Sequence, residues 1–325
     1  MIPKELSINS VEQVYKNIKP FINVTPLIKA NKIIDETFKT NIFLKFECFQ
    51  KSGSFKARGA TNNILSSDKK DLQNGITAVS AGNHAIAASY VSNIFKLKNK
   101  IFLYESANSY RVNICKNYGA NILFTNANNA FDEVRNAEKE GYKFIHPFDG
   151  TYTLQGSATL GLEIANQIKN LNTTIDNILI SVGGGGLVSG IGSTLKQIFP
   201  HINIIGVEPN GAKGMTDSLK KNVPLDKVEI DSIADSLCAP LHLPYSFDVA
   251  SKVIDQMINI SDTDMIESMK FAFKNLKLFL EPACVAGFAA LKKMNSSKLI
   301  NQNTLILLCG SNIDTQSWKQ MIKTS

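Results

Sequence analysis

Residues 180–190 read ISVGGGGLVSG, a hydrophobic strand pattern that runs into four consecutive glycines, Gly183, Gly184, Gly185 and Gly186, and then into a helical pattern. Residues without side chains at such a junction let backbone N–H groups turn inward, and the helix N-terminus behind them favours negative charge. The stretch therefore reads as a cradle for a phosphate; a tight turn alone accounts for one or two glycines, not four. The dinucleotide fingerprint needs glycines at its first, third and sixth places, and no register supplies all three: counted from Gly183 the sixth place is Val188, and from Gly184 it is Ser189. No G-x-x-x-x-G-K-[ST] loop occurs either. A small monophosphate cofactor is the expected ligand.

Around this junction, strand and helix patterns alternate. ITAVSA, KIFLYE, NILFTN and YKFIHPF read as short strands separated by the helical stretches HAIAASYVSNIF, SYRVNICKNYG and AFDEVRNAEKEG, a parallel β-α unit within residues 76–150. IDNILISV, INIIGVEP and TLILLCG read as buried strands of a second unit. Two α/β lobes with a cleft between them are expected.

The chain has 325 residues, 44% hydrophobic and 19% charged, an ordinary globular composition with room for two moderate domains. The opening MIPKELSINSVEQVYKNIKPF mixes charged and apolar residues, and no apolar run of membrane-spanning length follows. A cytoplasmic location is expected. Five scattered cysteines form no zinc-ligand pattern, which suits reduced, mostly buried thiols. The net charge of +7 is spread along the chain rather than gathered into an aromatic-interleaved basic run, so neither a nucleic acid nor a membrane is an expected partner.

SGSFKARGA, residues 52–60, raises a separate question, because Lys56 stands behind Phe55 in a frame of small residues. Lys56 and Arg58 could simply begin a solvated helix face. A desolvated lysine paired with a monophosphate cradle, however, is what pyridoxal phosphate requires, since such an amine loses its proton readily and can attack the cofactor aldehyde.

KSGSFKARGA, SAGNHA, SVGGGGL, GVEP, LKLFLEPACVAG and LCGSNID follow one another in the order of the fold type II pyridoxal-phosphate enzymes, and nearly the whole chain resembles their serine/threonine dehydratases, relatives of serine racemase. The resemblance implies a two-lobed, tryptophan synthase β-like α/β fold, each lobe a mostly parallel sheet flanked by helices. It places a large cofactor domain at residues 1–75 and 151–325 and a small domain at 76–150. It implies pyridoxal 5'-phosphate as cofactor, a homodimer, and a hydroxy amino acid as small-molecule substrate.

Position by position, the resemblance makes Lys56 the catalytic, Schiff-base lysine and puts Phe55 beside the cofactor ring. Asn83 would bond the ring hydroxyl, Gly183 to Gly186 the phosphate, and Cys309 would stand at the ring nitrogen, where many relatives have serine. Ser52, Ser80, Ala81, Gly82, Asn83 and His84 would receive the substrate carboxylate. Lys56, once released, would remove the α-proton, and the β-hydroxyl would leave with a proton from the cofactor phosphate. L-threonine or L-serine would give a 2-oxo acid and ammonia. Where the racemases carry serine this chain has Ala81, which cannot donate a proton. A cation site of the family begins at Glu208, but the second carboxylate of its racemase-like members is here Gly214, so no metal is expected. The chain stops soon after CGSNID, and no C-terminal regulatory domain is expected. Other readings are a dehydratase for another β-hydroxy amino acid such as 3-hydroxyaspartate, with ADSLCAPLHLPYSF shaping the pocket, a serine racemase, a sulfhydrylase, and a phosphate-binding carrier without cofactor.

Overall fold

The computed structural model describes residues 1–80, 82–126, 129–294 and 299–323. Its strands, in chain order, are β1 (Leu27–Lys29), β2 (Asn41–Phe46), β3 (Ile76–Val79), β4 (Asn99–Tyr104), β5 (Ile122–Thr125), β6 (Lys143–Phe144), β7 (Asn177–Ser181), β8 (Asn203–Pro209), β9 (Gln256–Ile260) and β10 (Asn303–Leu308). They form two sheets. One has the order β1-β2-β10-β7-β8-β9 and the other β5-β4-β3-β6. Every neighbouring pair is parallel except β1 with β2. This is the two-lobed α/β fold anticipated from the sequence.

The central strands β2, β7 and β10 are buried almost end to end, as parallel strands covered by helices on both faces must be. One core surrounds the six-stranded sheet; another lies under the four-stranded sheet. The helix Lys56–Ser66 precedes the smaller sheet in sequence but gives Ala57, Ala60 and Ile64 to its core. On its other side Gly59 lies so close to the helix Thr151–Asn170 that a Cβ at Gly156 would stand 2.5 Å from the Gly59 Cα. Lys56 is thus mounted on the element shared by both lobes.

Register then determines what meets what. β10 pairs with β2 from Asn303↔Asn41 to Leu308↔Phe46, which brings the chain leaving β2 beside the chain leaving β10. There the Phe55 N–H donates to the Cys309 carbonyl at 3.1 Å and the Ser311 N–H to the Gly53 carbonyl at 3.0 Å. The glycine loop leaves the carboxyl end of β7, and Ser80 that of β3. Ligands in open α/β sheets sit at these strand ends.

Arg58 corrects the solvated-face reading: it is fully buried. Its guanidinium binds both oxygens of Glu47, at 2.8 and 2.9 Å, and donates to Glu163 at 2.9 Å. Lys45 completes the group by donating to Glu163 at 2.6 Å. Two cations and two carboxylates cancel, which makes their joint burial tolerable.

Candidate active site

A cleft of about 140 Å³ opens where the strand ends of the two sheets face each other. Of the residues singled out from the sequence, Phe55, Lys56, Ser80, Gly82, Asn83, His84, Gly183, Gly184, Gly185, Gly186 and Cys309 line it. Ser52 does not: its hydroxyl turns to the Ser54 carbonyl at 3.4 Å, and its own carbonyl accepts from Asn312 at 2.9 Å. Ala81 lies outside the described residues.

Lys56 opens its helix, so its amine stands at the positive end of the helix dipole, which opposes a second positive charge. It keeps part of its surface in the cleft, yet the surrounding protein is dense enough that burial lowers its pKa to about 8, against a weaker opposing influence of Cys309. Nζ donates to the Pro147 carbonyl at 2.6 Å and lies 4.9 Å from the centre of the Phe55 ring. The Cys309 thiol is buried against the Ala283 carbonyl, 3.7 Å away.

Gly185 caps the helix Gly186–Ile198 with a φ of +94° and offers no side chain to its first N–H groups. A Cβ at Gly184 would overlap the Phe148 ring, and one at Gly186 the Phe148 carbonyl. Gly184, Gly185 and Gly186 are therefore needed for packing as well as for any ligand, and a structural requirement reaches further than the sequence suggests.

The turn at Ser80 differs from the expected ring of donors. The Ser80 N–H is tied to the Phe102 carbonyl at 3.1 Å, and the Ser80 hydroxyl accepts the Gly82 N–H at 3.0 Å. The first turn of the helix Asn83–Phe95, whose cap, Gly82, has no side chain, offers its N–H groups to an anion beside the Ser80 hydroxyl. His84 Nε2 bonds the Ile145 carbonyl at 2.7 Å, and burial, then the charge of Lys56, lowers the ring's pKa to about 3. It stays neutral at physiological pH.

Asn83 has a setting that sequence reasoning missed. Its Nδ2 donates to Glu281 at 2.7 Å and to Ser236 at 3.2 Å, while its Oδ1 accepts from Asn312 at 2.6 Å. Arg111 joins the same network through Glu281, Asp235 and the Asn312 carbonyl. Glu281 stands within the quoted LKLFLEPACVAG, so a signal for it existed. Arg111 had none, because its acidic partners lie 124 and 170 residues away. The 234–247 loop expected to shape a pocket does reach the cleft, through Asp235 to Pro240.

The donors present suit pyridoxal phosphate. A lysine of lowered pKa, an uncapped helix N-terminus for an anion, a buried thiol and an oriented amide line one cleft. Similarity to known proteins agrees. The family described as pyridoxal-phosphate dependent enzyme matches residues 18–310. The phenylserine dehydratase of Ralstonia pickettii is 36% identical, over 93% of this chain and 91% of its own. The catabolic L-threonine dehydratase of Staphylococcus aureus is 34% identical, over 95% and 90%. The solved structure of maize serine racemase superposes with a TM-score of 0.89 at 30% identity, covering 98% of this chain and 97% of that one.

Proposed function

Because the chain belongs to the pyridoxal-phosphate dependent enzymes, with pyridoxal 5'-phosphate as its cofactor, we propose that it is a dehydratase that converts L-threonine or L-serine to a 2-oxo acid and ammonia. The observation that carries this reading is Lys56, an amine of lowered pKa in the same cleft as an uncapped helix N-terminus. When bound, the cofactor supplies an aldehyde that links to amines and a ring that draws electrons from the bonds at the substrate's α-carbon.

Gly183 to Gly186 would hold its phosphate, Asn83 its ring hydroxyl and Cys309 its ring nitrogen, with Phe55 beside the ring. The substrate carboxylate would be met by the N–H groups that open the helix Asn83–Phe95. Lys56, with its pKa of about 8, can take the α-proton near neutral pH. The ammonium so formed stays bonded to the Pro147 carbonyl. Cys309 is a weaker partner for a protonated ring nitrogen than a carboxylate would be, which favours elimination over chemistry that needs that proton.

A bulkier apolar β-hydroxy amino acid is the second reading, favoured by Tyr104, Phe131 and Phe148 in the cleft wall. An acidic substrate such as 3-hydroxyaspartate is disfavoured. Among the described lining residues Lys56 is the only lysine or arginine, so a second carboxylate finds no free cation in the cleft wall.

Purified protein should be yellow, absorbing near about 410 nm, and should release keto acid from L-threonine or L-serine. A panel that adds phenylserine and 3-hydroxyaspartate ranks the substrates. Colourless protein without turnover on any of them would exclude the assignment. A cytoplasmic homodimer belongs to the same proposal, and light scattering of the pure protein tests the dimer.

A further inference from the structure

Both groups of the Asn83 amide are tied to residues behind the cleft wall. Nδ2 donates to Glu281 Oε1 at 2.7 Å, and Oδ1 accepts from Asn312 Nδ2 at 2.6 Å. Glu281 and Asn312 are buried, and neither is among the described residues that line the cleft. The second hydrogen of Asn83 Nδ2 goes to Ser236 Oγ at 3.2 Å, and Ser236 does line the cleft. The amide therefore keeps its oxygen towards the wall and one N–H towards the cavity. A flipped amide would set its oxygen against the Glu281 carboxylate and its N–H groups against Asn312 Nδ2, which is fixed as a donor because it also donates to the Ser52 carbonyl at 2.9 Å. Glu281 and Asn312 together decide which way Asn83 faces.

Arg111 holds both of them. Its Nε donates to the Asn312 carbonyl at 2.8 Å, and its Nη2 reaches Glu281 Oε2 at 3.4 Å, the oxygen that Asn83 does not use. Nη1 and Nη2 also donate to Asp235. Arg111 comes from the helix Ser109–Asn117 beside the four-stranded sheet, whereas Glu281 caps the helix Pro282–Lys293 and Asn312 follows β10 of the six-stranded sheet. A Cβ at Gly82 would stand 2.9 Å from Arg111 Nη1, so the guanidinium also packs against the residue before Asn83. Arg111 is buried and is not among the described lining residues. Its reach to separate acceptors needs the planar fork of an arginine.

We propose that Arg111 is a positioning residue for the Asn83 amide, holding the two neighbours that aim one N–H at the cleft, where the cofactor's ring oxygen would receive it in place of Ser236. The proposal rests on the reading that Asn83 bonds the ring hydroxyl.

The test strips cofactor from the holoenzyme and follows rebinding of pyridoxal 5'-phosphate and of its 3-deoxy analogue, which lacks the ring hydroxyl, by absorbance. Arg111→Met should raise the Kd for pyridoxal phosphate about fivefold or more while leaving that for the analogue within about twofold, as loss of one oriented hydrogen bond predicts. Asn83→Ala should show the same pattern, and adding Arg111→Met to it should cost less than about a further twofold, because the residue through which Arg111 acts is gone. Should Arg111→Met fail to fold, Arg111→Lys, which keeps the charge but has a single nitrogen to serve Asn312 and Glu281, takes its place. Equal weakening of both ligands, a full further loss in the double variant, or wild-type affinity for pyridoxal phosphate in the Arg111 variant would overturn the proposal. Wild-type affinity in Asn83→Ala would instead refute the ring-hydroxyl role of Asn83, and the proposal with it.

Discussion

Lys56 Nζ donates to the Pro147 carbonyl at 2.6 Å, and the next residue, Phe148, packs over Gly184 and Gly186. One short segment thus touches both the reactive amine and the phosphate loop. The bond to Pro147 needs only a donor hydrogen, so it holds the amine in place whether or not it carries the extra proton.

Lys56→Ala should therefore abolish turnover while the protein still folds, because among the described residues the side chain makes no ion pair and its removal leaves only the Pro147 carbonyl to be hydrated. The glycine loop remains able to retain cofactor without a covalent link. Keto-acid release at the wild-type rate from the purified variant would remove Lys56 from the chemistry.

The lowered pKa has a kinetic signature. Only the neutral amine attacks an aldehyde, so the rate at which stripped enzyme takes up cofactor covalently should rise about tenfold per pH unit below about 7 and level off above about 8. Rapid-mixing absorbance over pH 6 to 10 measures it. A rate still climbing at the top of that range would mean that burial does not depress this lysine.

Gly185→Asp should weaken cofactor retention severely, because a carboxylate at the loop repels a phosphate and because no side chain is easily held at a φ of +94°. Gly184→Asp adds a steric effect, since it must displace Phe148. Titration with added cofactor reads both; wild-type affinity in Gly185→Asp would leave the glycines as a turn only.

Much of this site was legible because its parts are local. The glycine run, SAGNHA and the lysine each sit at a strand end or helix start, and β3 to β8 and β10 announced themselves by short apolar runs between helical patterns. β2 and β9 did not. NIFLKF contains Lys45, a charge that argues against a buried strand until Glu163, 118 residues away, is seen to neutralise it. QMINI alternates as an edge strand, with little to distinguish it from a loop. Arg111 acts through partners that only the tertiary fold supplies.

The buried charge group gives a stability prediction. Arg58→Met keeps the volume but leaves Glu47 and Glu163 with one cation, Lys45, between them, and should destabilise the fold by about 3–5 kcal/mol. Burial would raise the carboxyl pKa of Glu163, but Arg58 and then Lys45 hold it down. The variant should recover part of its loss as pH falls, because protonating a carboxylate then removes the unpaired charge. Denaturant melts at pH 7 and pH 5 test this; a wild-type midpoint at both would show that the network carries no net stability.

Ala81 separates elimination from racemisation most directly. Its neighbours Ser80 and Gly82 both line the cleft, and the racemases that this chain resembles carry a serine at this position, a proton donor on the face of the substrate opposite the lysine. An alanine supplies no proton donor at this position to pair with Lys56 in inversion. Incubation with L-serine should then give pyruvate and little D-serine. Ala81→Ser restores the second hydroxyl, and the variant should gain measurable D-serine with some loss of elimination. Chiral chromatography of the recovered serine decides the matter, and a wild type that forms D-serine as fast as pyruvate would make the protein a racemase whose second acid lies elsewhere.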